Sequence, residues 1–147
     1  MAASRFSLQS VLLLRDRERD QARQQMAQAI QVIEQIEQEL QTSIDVHSLY
    51  SQELNDLLRH NPISIEAVNL RRYHLTRTEI EIQVIKSRLA AGREILEKCR
   101  KLLVLADQKV KAIEQIRDRR EQEALEEAIK KETFEQQEAW QAGQFSS

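Results

Sequence analysis

Apolar residues recur along this chain in alternating steps of four and three. The first series runs Leu8, Leu12, Arg15, Arg19, Ala22, Met26, Ala29, Ile33, Ile36, Leu40, Ser43, His47, Tyr50, Leu54 and Leu57. A 3.5-residue period held for so long predicts a helix with a coiled-coil seam. Ile30, Ile44 and Leu58 flank this seam and are expected to widen it. A second series begins at Val68 and runs through Arg71, Leu75, Thr78, Ile82, Ile85, Leu89, Gly92, Leu96, Cys99, Leu103, Ala106, Val110 and Ile113. It continues through Arg117, Arg120 and Ala124 as its apolar content thins. Leu125, Ile129 and Phe134 follow a shifted phase in a Glu-rich stretch.

Between the two series lies His60-Asn61-Pro62-Ile63-Ser64, which holds the single proline of the 147 residues. Proline deletes a backbone donor and pushes the preceding residue out of helical geometry. Ser64 can cap the second helix, with Glu66 in its first turn. The pattern predicts an all-α fold, a long antiparallel two-helix coiled-coil hairpin with its C-terminal helix overhanging. The expected bounds form one module: a helix over about 7–59 capped by Ser7, a turn at 60–64, a helix over about 65–141 and a frayed tail at 142–147. Folding about Pro62 sets Leu40 by Ile85, Ile36 by Leu89, Ile33 by Gly92, Ala29 by Leu96 and His47 by Thr78. Small then faces large along the seam, which avoids both voids and clashes.

Charge supports that pairing. From Ala22 to Leu57 one base, Arg23, stands against Glu34, Glu37, Glu39, Asp45, Glu53 and Asp56. The second helix carries Arg71, Arg72, Arg77, Lys86, Arg88 and Arg93. Opposite charge selects the partner helix, although each exposed pair is worth little. A monomeric hairpin is expected, while two extended chains pairing as a dimer would use the same seams.

The formal net charge is only -2, without the basic excess of a protein that lives on phosphate contacts, so no nucleic-acid partner is expected. Val11-Leu12-Leu13-Leu14 is too short to span a membrane, so no direct insertion is expected and the chain reads as cytoplasmic. One cysteine, Cys99, allows no internal disulfide. No catalytic residue, cofactor or metal is expected, and the chain reads as a non-enzyme. His47 and His74 could face each other as a two-histidine metal site, against the alternative of a polar seam residue and a surface residue.

Three features look functional. Phe6, Leu8, Val11 and Leu12 to Leu14 precede Arg15-Asp16-Arg17-Glu18-Arg19, and three consecutive leucines cannot all face one helix. Arg15 and Arg19 fall on the seam opposite Val110 and Ala106, so either the helices splay there or the arginine stems snorkel. Tyr50 and Tyr73 lie near the turn, and tyrosines make good interface anchors.

The opening Phe6-x-Leu8-x-x-Val11-Leu12-x-x-Arg15 with Glu18 resembles the start of the FliJ family of the bacterial flagellar protein-export apparatus. The resemblance continues in Glu39-Leu40, Ile44-Asp45, Tyr50 and Leu54, and extends loosely over the whole chain. It implies a coiled-coil component of flagellum biogenesis and motility, peripherally associated with the inner-membrane export apparatus. The implied partners are the hexameric export ATPase, the export gate protein FlhA and export chaperones. ATPase binding is implied for Phe6, Leu8, Val11, Leu12, Arg15, Glu18, Arg19, Val110, Arg117 and Arg120. Gate binding is implied for Leu40, Ile44, Tyr50 and Tyr73. The type III secretion relatives of the family are an allied reading. A general coiled-coil chaperone or scaffold with no ATPase partner is the alternative from a different class.

Overall fold

The computed structural model describes residues 2–145, with side chains from residue 7 to 145. It contains two helices, α1 (Ala2–Arg59) and α2 (Ile65–Phe145), which form an all-α hairpin. Both helices are longer than the heptads indicate. Ser7 lies inside α1 instead of capping it, because the Ala2-Ala3-Ser4-Arg5 stretch holds nothing that breaks a helix. At the other end α2 continues through Gly143 to Phe145, where a frayed tail was expected.

The turn forms as its residues dictate. The Ser64 hydroxyl accepts from the Ala67 backbone N–H at 3.4 Å, and the Val68 N–H donates to the Ser64 carbonyl at 3.1 Å. Ser64 thus caps α2, satisfying donors that a helix start leaves open.

Contacts divide the chain into two compact units. One pairs α1 up to Asp20 with α2 from Val104, and the other comprises Gln21–Leu103. The unit over Gln21–Leu103 is centred on Ile33, Ile36, Ile85 and Leu89, with Leu40 and Leu96 packed against them. Burying such a side chain stabilises by about 1.5–3 kcal/mol before entropy is counted. Facing partners follow the expected register. A β-carbon placed on Gly92 would lie 3.4 Å from Ile33 Cγ1, so the glycine does oppose Ile33. Three α2 arginines meet α1 acids: Arg88–Glu39 at 2.7 Å, Arg71–Glu53 at 2.9 Å and Arg93–Glu37 at 3.7 Å.

One seam expectation is corrected. Ile30, Ile44 and Leu58 remain exposed, so they widen the buried seam little. At the His47–Thr78 layer each polar group bonds to another partner. The buried Thr78 hydroxyl donates to the His74 carbonyl of its own helix at 2.7 Å, and His47 Nε2 lies 3.2 Å from Glu79 Oε1. A threonine hydroxyl on a helix reaches the carbonyl four residues back more easily than it reaches across.

In the other unit, Ala106 is buried and Val110 has no exposed surface. From Gln115 to Phe145 every residue of α2 is exposed, as expected of an overhang. The apolar seam ends at Ile113, so Arg117, Arg120 and Ala124 continue its spacing without its burial.

Candidate partner-binding surfaces

The first surface is built on the N-terminal part of α1. Leu8, Val11 and Leu12 are half-buried, while Leu13 and Leu14 stand 54% and 52% exposed. The run of leucines therefore splits: Leu12 packs toward α2, and its two neighbours are left for something else. Phe6, expected at this site, has a side chain outside the described residues.

The seam arginines are accommodated without splaying. Arg15 Nη1 donates to both carboxylate oxygens of Glu18, at 3.0 and 3.2 Å. Arg19 reaches Asp16 at 3.1 Å and Asp107 of α2 at 3.3 Å. Lys111 Nζ approaches the same Asp107 at 2.9 Å. With Val110 fully buried between these layers, the helices stay closed and the two arginines stay partly buried against the acids they pair with. Arg19 Nε is buried without a partner, so the network satisfies this side chain incompletely. The Asp107 carboxyl is held below its ordinary value, chiefly by its hydrogen bond to Lys111 and further by Arg19, while partial burial opposes them.

The proposed ATPase residues are thus not equivalent. Arg15, Glu18 and Arg19 belong to the charged network. Val110 presents no surface. Arg117 is exposed and contacts Asp118 at 3.4 Å, and Arg120 is exposed.

The second surface lies toward the turn. The Tyr50 ring stacks on His74, with centroids 5.2 Å apart. The Arg71 guanidinium sits 5.1 Å from the Tyr50 ring centroid and bridges to Glu53. Tyr50 is thereby half-buried and locked. Tyr73 is 59% exposed, with its ring tilted 5.9 Å from His74. Leu40 packs on the central cluster, and Ile44 is exposed. The two-histidine site does not assemble: His74 is engaged with Tyr50 and Arg71, and His47 with Glu79. Among the described residues no group of three or more His, Cys, Asp or Glu is placed to hold a metal.

One set of exposed residues was missed. Ile80, Val84, Ile95 and Leu102 lie on α2 away from the buried seam, each more than half exposed. A second apolar phase within the same helix was the available signal, masked by the stronger seam.

Two long paired helices, with exposed apolar side chains beside ordered charge networks, define a coiled-coil hairpin. Residues 4–139 match the family model described as flagellar FliJ protein. The chain belongs to the FliJ family, a family of non-catalytic components of the flagellar export apparatus. No curated protein matches the chain. No solved structure matches it either. Among the described residues no helix is long and apolar enough to cross a membrane.

Proposed function

We propose that this chain is a coupling component of flagellar export that binds the hexameric export ATPase near its N-terminal motif. In this reading it promotes assembly of the ATPase ring and links its turnover to export. The observation that carries the proposal is the outward pair Leu13 and Leu14 beside the Arg15–Glu18 and Arg19–Asp16–Asp107 network. An apolar anchor rimmed by pre-ordered charge is an arrangement that protein interfaces use. The gate protein FlhA would be met nearer the turn, with Tyr73 and Ile44 as its exposed contacts. Export chaperones would be a further partner, and peripheral attachment at the inner membrane would follow from the gate contact.

The test is purification with the cognate export ATPase, measuring ring assembly and ATP turnover with and without this chain. The expected result is faster turnover and more hexamer. Absence of both binding and stimulation refutes the ATPase reading and favours a scaffold with no ATPase partner.

A further inference from the structure

Three arginines, Arg15, Arg17 and Arg19, stand at alternate positions of α1, within the unit that pairs α1 up to Asp20 with α2 from Val104. Two of them are tied inside that unit. Arg15 is held by Glu18, and Arg19 by Asp16 and Asp107. Lys111 takes the other carboxylate oxygen of Asp107 at 2.9 Å. Arg17 is exposed, and among the described residues it enters no ion pair or hydrogen bond. Asp20, one turn further on and the acid best placed to answer it, has a contact of its own.

Arg17 shares its face with the two outward leucines. Leu13 lies four residues before it and Leu14 three, the spacings that make side chains neighbours on a helix. Helical side chains lean toward the N-terminus, so the Arg17 stem reaches over the turn that carries both leucines. A positive charge without a carboxylate of its own chain therefore borders the exposed apolar pair.

We propose, resting on the ATPase reading, that Arg17 is the charged anchor of that contact and pairs with a carboxylate at the rim of the apolar recess receiving Leu13 and Leu14. Arg15 and Arg19 already have acids, so a further acid on the partner gains least from them. Arg17 gives up no contact within the chain, and a guanidinium can offer a carboxylate two parallel hydrogen bonds. A lipid surface fits less well. Helices that lie on membranes present a broad apolar stripe with many bases, whereas here two leucines stand beside one unpaired arginine.

The test is calorimetric titration of the full chain and its Arg17 variants with the cognate export ATPase, with thermal melts alongside. Arg17→Ala should weaken binding by about fivefold or more, as truncating an interface anchor does. Arg17→Glu should weaken it further by setting like charges together, and Arg17→Lys should recover part of the affinity. Added salt should weaken the wild type more steeply than Arg17→Ala. The melts should coincide, because Arg17 has no contact within the chain to lose. If Leu14→Asp abolishes ATPase binding while Arg17→Glu binds within about twofold of wild type, the ATPase reading stands and the Arg17 anchor is overturned. If the wild-type chain does not bind the ATPase, both fall. Arg17-dependent binding to vesicles of phosphatidylglycerol and phosphatidylethanolamine, with ATPase affinity untouched by the Arg17 variants, overturns the anchor in favour of a lipid surface.

Discussion

Gly92 allows the helix register to be tested by two substitutions of opposite sign. It lies mid-helix with no positive φ, so its backbone needs none of the freedom glycine supplies. A glycine there costs about 1 kcal/mol relative to alanine. A β-carbon would sit 3.4 Å from Ile33 Cγ1 and 3.9 Å from Ile36 Cδ1, which is ordinary contact with little room to spare. Gly92→Ala should therefore stabilise by about 0.5–1 kcal/mol, the propensity gain less a small adjustment of Ile33. For a chain of this size that is a rise in melting temperature of about 1–4 °C. Gly92→Leu pushes further carbons into the same gap, where overpacking costs about 1–3 kcal/mol, and should lower the melt. Reversible thermal unfolding followed by circular dichroism reads both. If alanine destabilises, or leucine is tolerated without loss, Ile33 does not lie over Gly92 and the pairing of the two helices is misplaced.

Other consequences follow from the two surfaces. Leu14→Asp should weaken binding to the export ATPase while leaving the thermal melt within about 0.5 kcal/mol of wild type, because an exposed side chain is lost; Leu12→Asp should instead depress the melt. Tyr73→Ala should reduce affinity for the gate protein in a pull-down or calorimetric titration without changing stability, whereas Tyr50→Ala should lower stability by removing the ring between His74 and Arg71; unchanged gate affinity removes Tyr73 from that surface. Asp107 has a folded pKa depressed below 3.8, so its contribution to stability is fully present above that value and is lost as pH falls through the lower folded one. Melts of Asp107→Asn should accordingly show a shallower decline below about pH 4 than wild type; superimposable acid profiles would mean that the Lys111 and Arg19 contacts do not persist in solution.

Much of the fold was legible because coiled-coil packing is a one-dimensional problem. The residues that face the partner are set by a period, and the position of the fold-back by one proline. Every position from Leu8 to Leu57 and from Val68 to Ile113 in the two series is buried or half-buried. The period says least about flanking positions: Ile30, Ile44 and Leu58 are exposed because two helices bury a narrow stripe and little beside it. Helix ends were also missed, since a heptad cannot report turns of helix that have no partner.

The candidate surfaces were less legible. The sequence placed Arg15 and Arg19 on the seam but left open whether the helices part there. Deciding that needed Asp107, 88 residues from Arg19 along the chain, to arrive within 3.3 Å of its guanidinium. Likewise, three adjacent leucines read alike in sequence, and only the direction of α2 separates the inward Leu12 from the outward Leu13 and Leu14. Tyr50 and Tyr73 read alike in sequence, and only the packing of His74 and Arg71 on Tyr50 leaves Tyr73 as the exposed one. The sequence alone thus determined the helices, the turn and the pairing, which depend on local propensity and periodicity. Tertiary structure decided which charges are satisfied and which apolar side chains remain available, because both depend on what the opposite helix brings to each position.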